Sequence, residues 1–120
     1  MKEPNKQDER IAKMIVGSVY PLYLAKVEKK GRTKEELDQI VCWLTGFSEK
    51  KLQHLLEMKV SFADFFEKAK LPANAEKIKG VICGYRVEEI ENPLTQKVRY
   101  LDKIVDELAK GWTLEKIMRS

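Results

Sequence analysis

Residues 92–111 read NPLTQKVRYLDKIVDELAKG, and they decide the fold class of this 120-residue chain. Asn92 offers a side-chain oxygen to the first free backbone N–H groups of a helix. Pro93 follows at the first helical position, where an absent N–H does no harm. Leu94, Val98, Leu101, Val105, Leu108 and Trp112 recur at alternating four- and three-residue steps, and Ile104 and Ala109 widen them into one apolar stripe. Arg99, Asp102, Lys103, Asp106 and Lys110 fall opposite. Gly111 supplies the left-handed residue that commonly ends a helix, and the Lys110 charge suits the negative end of the helix dipole. The stretch predicts a helix of about five turns. A helix of that length draws its stability from burying its stripe against other elements.

Working back from Asn92, residues 88–91 form the turn into that cap. Residues 75–90 are ambiguous. Ile78, Val81, Ile82 and Tyr85 have helical spacing, yet Gly80 and Gly84 each disfavour a helix interior by about 1 kcal/mol. The reading adopted is a bent helix. The alternative, a short strand over residues 81–87, finds no second β-rich run to pair with. Ser61, with Asp64 three residues on, predicts a capped helix carrying Phe62, Phe65, Phe66 and Ala69 on one side and closed by Pro72.

Thr33 and Glu36 form a capping box, followed by Leu37, Ile40, Val41 and Leu44 at helical spacing and a stop at Gly46. Ser48 caps the next helix, which buries Leu52, Leu55 and Leu56. Ser18 is expected to cap an earlier one, with Pro21 in its first turn and Tyr20, Leu24 and Val27 on one face. Residues 1–10, polar and uncapped, read as a mobile N-terminal tail. Beyond Gly111, Thr113 caps a short last helix with Leu114, Ile117 and Met118. The chain therefore reads as all-α: a single helical domain over residues 11–120, built as one compact bundle of five to seven short helices.

Composition narrows the function classes. Lys and Arg number 23 against 19 Asp and Glu, divided as 12 against 9 in the first sixty positions and 11 against 10 in the last sixty. An excess this mild and even argues only weakly for nucleic acid. The longest apolar run, residues 14–25, is interrupted by Gly17, Ser18 and Pro21 and is too short to span a bilayer. Glu3, Asp8 and Glu9 spoil a basic leader before it. A cytoplasmic protein off the membrane is expected, with Cys42 and Cys83 as reduced thiols.

Several ordered strings resemble a known family: residues 19–23 (VYPLY), 29–36 (KKGRTKEE), 43–46 (WLTG), 99–103 (RYLDK) and 106–111 (DELAKG). Together they are similar to the small bacterial family called domain of unknown function 2200, over about residues 18–119. The resemblance implies a bacterial, single-domain helical protein. It brings no activity, cofactor or partner, so no functional residue is carried over.

The residues themselves offer two candidate sites. The hairpin of helices over residues 33–58, turning at Gly46-Phe47-Ser48, has the spacing of a helix-turn-helix. Its second helix would offer Lys50, Lys51, Gln53 and His54 to a groove, with Lys30 and Arg32 among the residues available for phosphates. Glu35, Glu36, Asp38, Glu49 and Glu57 on the same helices oppose that use. The other candidate is a polar face of Arg86, Glu89, Arg99, Asp102 and Asp106. Asp102 and Asp106 stand four apart, as hard-metal ligands could, but cations at that spacing equally serve a solvated face.

Cys42, His54 and Cys83 are one ligand short of a structural zinc site, and lone cysteines in apolar runs are usually core residues. No glycine-rich phosphate loop occurs. No metal or cofactor is expected. The reading is a small protein-interaction module without catalysis, its partner a second copy in a homodimer or another protein. A nucleic-acid-binding protein is the alternative, and an enzyme using a cysteine or the carboxylates of residues 88–106 is the third.

Overall fold

The computed structural model describes residues 6–119 and is predominantly all-α. Its first helix, α1 (Lys6–Lys13), takes in residues 6–10, which had read as part of the tail. Asp8 and Glu9 in its first turn and Arg10 and Lys13 in its last all favour its dipole, and Ile11 is buried. The remainder of the expected tail, residues 1–5, lies outside the described residues.

The second helix, α2 (Val16–Lys29), starts two residues before the expected cap at Ser18. Tertiary pairing sets this start. Ile15 forms an antiparallel bridge with Ser61, where Val16 N–H donates to the Val60 carbonyl (3.0 Å) and Phe62 N–H to that of Met14 (2.9 Å). Pro21 consequently sits inside the helix rather than in its first turn. The carbonyl that loses its donor there belongs to Gly17, the residue four back. Gly17 is also a point of close approach between α2 and Leu56, since a Cβ at that position would stand 2.8 Å from the Leu56 carbonyl oxygen.

The hairpin of α3 (Lys34–Thr45) and α4 (Glu49–Glu57) forms as read. Both halves of the Thr33–Glu36 capping box are made, and the Ser48 hydroxyl accepts the Lys51 N–H. In α5 (Phe62–Lys68), Ser61 caps in the same way, and Phe62, Phe65 and Phe66 are buried. Phe47 meets Phe65 edge-on, with ring centroids 5.2 Å apart.

Residues 75–90 are not a bent helix. A 3₁₀ turn at Ala73–Lys77 leads to a two-stranded antiparallel hairpin, β1 (Val81–Ile82) and β2 (Tyr85–Arg86), and a second 3₁₀ turn follows at Val87–Glu89. The missing strand partner is the other half of the same stretch, reversed through Cys83 (φ 53°) and Gly84 (φ 84°). Both residues take the left-handed conformation that two-residue hairpin turns demand. The Glu88 carboxylate accepts the Gly80 N–H (3.0 Å), and the Val87 N–H donates to the Gly80 carbonyl (2.9 Å), which closes the loop's base.

The long helix α6 (Pro93–Ala109) begins at its Asn92 cap, which accepts the Thr95 N–H at 3.0 Å. It is enclosed on more sides than its apolar stripe alone implies. Tyr100, Thr95 and Glu107 are buried along with Val98, Leu101, Ile104, Val105 and Leu108, because α1, α2, α3, α5, β1 and a short α7 (Leu114–Ile117) all pack on it. Tyr23 meets Asp102 and Lys26 meets Asp106, so α2 and α6 run parallel, side by side. Among the described residues, no helix is long and apolar enough to cross a membrane.

Candidate functional site

Parallel packing puts α2 across the very face of α6 that the heptad pattern left polar. Asp102 accepts from the Tyr23 hydroxyl on one oxygen and from Arg99 on the other (2.9 Å), while Asp106 lies between Lys26 (3.1 Å) and Lys110 (2.9 Å). Burial first, and then the Asp102 charge, push the Tyr23 hydroxyl well above the usual phenol value. Burial also pushes the Asp106 carboxyl up, but Lys110 and Lys26 outweigh it and leave the group below the ordinary carboxylate range.

A second tie of the same kind joins α2 to α3. Tyr20 donates to Asp38, which also accepts from Lys34 (2.6 Å) and Gln53 (3.4 Å). Burial and the bond to Asp38 raise the Tyr20 phenol strongly. A phenol held protonated and a carboxylate saturated by donors make poor acid–base partners. They are well suited to locking helices in register.

The expected polar face is therefore brought together in part. Arg99, Asp102 and Asp106 share the seam under α2. Arg86 pairs instead with Glu88 (3.8 Å), and Glu89 is exposed on its 3₁₀ turn. Tyr20, Tyr23 and Asp38 complete these ties, and the sequence does not mark them as site residues. Their partners stand 18 and 79 positions away, which no local pattern reveals.

The expected nucleic-acid contacts also divide. Lys50, Lys51 and His54 line a shallow, open depression with Ser48, but all four belong to α4 and its cap, so the hollow is space between side chains on one convex face. Gln53 turns inward to Asp38, and Lys30 is exposed at the end of α2. Arg32 points into the protein. Its Nη1 donates to the carbonyls of Leu108 (3.1 Å) and Trp112 (2.8 Å), while Nε and Nη2 hold Glu36. The guanidinium thus joins the turn between α2 and α3 to the last turn of α6 and to Trp112 just beyond it.

Cys42 is half-buried, and burial, followed by the charges of Asp38 and Glu49, pushes its thiol up, the opposite of what activates a nucleophile. Cys83 is exposed at the β1–β2 turn. Among the described residues, no group of three or more His, Cys, Asp or Glu could hold a metal ion.

These features define a small bundle of helices bound to one another by buried and half-buried polar ties. The chain belongs to the bacterial family described as uncharacterized proteins conserved in bacteria, domain of unknown function 2200, whose model matches residues 10–119. It is also similar to the crystal structure of an uncharacterized protein, SP1917. The two are 39% identical over 96% of this chain and 95% of that one, with a TM-score of 0.87. No curated protein matches the chain.

Proposed function

We propose that this protein is a small cytoplasmic interaction module without catalysis, and that it meets its partner, a second copy or another protein, through the outer face of α2. The observation behind this reading is the character of that face. Ser18, Pro21, Leu22 and Ala25 are all exposed, stand at helical spacing and carry no charge, in a chain where 35% of residues are charged. Leu22, at their centre, is 69% exposed. The inner side of the same helix is held by Tyr20–Asp38, Tyr23–Asp102 and Lys26–Asp106, so the outer face is presented in one orientation. An uncharged centre with a charged margin, here Lys26 and Lys29, matches the depletion of charge at the middle of interfaces.

A photo-crosslinker placed at position 22 in the living cell tests this, with position 51 on α4 as the control. A discrete adduct formed from 22 and lost from 51 supports the reading. Failure of position 22 to give any adduct beyond that of 51 defeats it.

The second reading, nucleic-acid binding, rests on Lys50, Lys51 and His54 standing together on α4. Duplex DNA titrated across salt should then show affinity falling steeply as salt rises, and a flat response removes this reading.

A further inference from the structure

Met14, Leu22 and Met58 are three of the five large apolar side chains that stand in solvent among the described residues, at 40%, 69% and 60% exposed. Backbone contacts gather them at the first half of α2. The Leu56 carbonyl approaches Gly17, and the Val60 carbonyl accepts the Val16 N–H (3.0 Å), so Met58 is bracketed by two contacts with the start of that helix. Met14 lies just before the same helix, where its carbonyl accepts the Phe62 N–H (2.9 Å).

At about 3.6 residues per turn, the order around α2 from the α4 side to the α6 side is Gly17, Pro21, Ala25, Ser18, Leu22 and Lys26. Short side chains therefore lie between Leu22 and the Met58 side, and the surface there is a shallow trough. The backbone of α2 is hydrogen-bonded within the helix. An extended peptide laid on it would leave its own N–H and C=O groups facing an apolar floor, whereas a helix arrives with them already paired.

The margin of the trough is cationic. Lys13 precedes Met14, Lys59 follows Met58, and Lys29 and Lys30 close α2; all four are exposed, against two exposed acids in the same stretches, Glu28 and Glu57. Lys59 is the telling one. The helices α2, α3 and α6 end on the left-handed glycines Gly31, Gly46 and Gly111, while α4 puts Lys59 in that conformation at φ 56°. Arg119, also left-handed, uses its position to hold Glu107, but the Lys59 side chain meets no hydrogen-bond or ion-pair partner among the described residues. The fold thus carries backbone strain to keep a charge beside Met58 that does nothing for the fold.

That margin also argues against a second copy. Pairing α2 antiparallel about Leu22 would lay the Lys29–Lys30 end of each copy over the Lys13–Lys59 end of the other, and pairing it parallel would set each lysine beside its twin. We propose that the trough seats an amphipathic helix of a different protein, one whose apolar stripe has acidic flanks. Met58 and Leu22 would border that stripe, their flexible and branched side chains adapting to it, and Lys59, Lys13 and Lys29 would meet the flanks. This rests on the reading of the outer α2 face as the contact surface and names what covers it.

Photo-crosslinkers placed singly at positions 14, 22 and 58 of the full chain, in the cell, should give the same adduct. Sequencing of the crosslinked peptide by mass spectrometry should show apolar residues at three- and four-residue steps between flanks richer in Asp and Glu than in Lys and Arg. That segment, made as a synthetic peptide, should bind the purified chain less well as salt rises. Its Kd should increase at least ~3-fold in the Lys29→Ala, Lys59→Gly double variant. Lys59→Gly alone should raise Tm, so weaker binding cannot be ascribed to a damaged fold. No adduct at 22 removes both this proposal and the contact surface beneath it. An adduct at 22 with none at 14 and 58, or one formed with a second copy of the chain, leaves the surface standing and overturns the proposal. Basic flanks, a salt-independent Kd, a Kd unchanged in the double variant, or a Tm lowered by Lys59→Gly overturn it as well.

Discussion

Arg119 ties the turn after α7 to the C-terminal end of α6. Its two Nη atoms reach the two carboxylate oxygens of Glu107 at 2.6 and 2.8 Å, its ring contact is with Trp112, and the Glu107 side chain is 2% exposed. Glu107 lies on the flank of the apolar stripe, where a glutamate reads as solvated. Its burial depends on a cation twelve positions later, placed there by the left-handed backbone of Arg119 (φ 55°). A carboxylate buried this fully is tolerable with a bidentate guanidinium and strongly unfavourable alone. Arg119→Ala is therefore expected to lower unfolding free energy by roughly 3–5 kcal/mol, read from the urea midpoint at constant m. Adding Glu107→Gln to that variant should restore much of the loss, giving a coupling energy above about 1 kcal/mol in the double-mutant cycle. Additive losses would mean that the pair does not hold the chain end.

At the scale of elements, what was legible was local. The caps at Thr33, Ser48, Ser61, Asn92 and Thr113 all form, because each needs only a hydroxyl or amide oxygen and the N–H three residues on. The start of α2 is not legible locally because it is set by the bridge from Ile15 to Ser61, 46 positions away, rather than by Ser18. The hairpin is hidden in the sequence because two-residue strands have no periodicity to read, and because its turn uses Cys83 where asparagine or glycine is usual. Arg32 read as a phosphate contact for the same reason. Its bond to Glu36, four residues on, is local, while the Leu108 and Trp112 carbonyls that orient it are not.

The turn carries a prediction of its own. A β-carbon at φ 53° is strained, and asparagine tolerates that region better than cysteine. Cys83→Asn should stabilise the protein by up to about 1 kcal/mol, a rise of a few degrees in Tm. An unchanged or lowered Tm would show that the Cys83 side chain makes a contact worth more than the relieved strain.

The whole molecule is a parallel pair, α2 beside α6, with the other helices packed around them, and the groups that fasten the pair are ionisable. Its stability should therefore have two pH limbs of opposite sign. The bond from Arg32 holds Glu36 below the ordinary carboxylate range, and Lys110 and Lys26, against the effect of burial, do the same for Asp106. A carboxyl lower in the folded than in the unfolded chain stabilises above its unfolded value, near 4, and that contribution is lost as pH falls through the folded value. Burial first, with Asp38 and Asp102 next, raises Tyr20 and Tyr23, and burial raises Tyr100. Here the sign reverses. The contribution is complete below the unfolded phenol value, near 10, and is lost as pH rises beyond it.

Urea midpoints should thus be flat between about pH 5 and 9 and fall on both sides. Asp106→Asn should remove about 1 kcal/mol at neutral pH and flatten part of the acid limb, and Tyr20→Phe should flatten part of the alkaline limb. Three of the four tyrosines are in the raised set, so most of the tyrosinate absorbance should appear together with loss of helix rather than before it. Phenols that ionise one by one in a chain still helical would mean that Tyr20 and Tyr23 do not fasten α2 to its neighbours. The rigid outer face proposed for α2 would then lose its support.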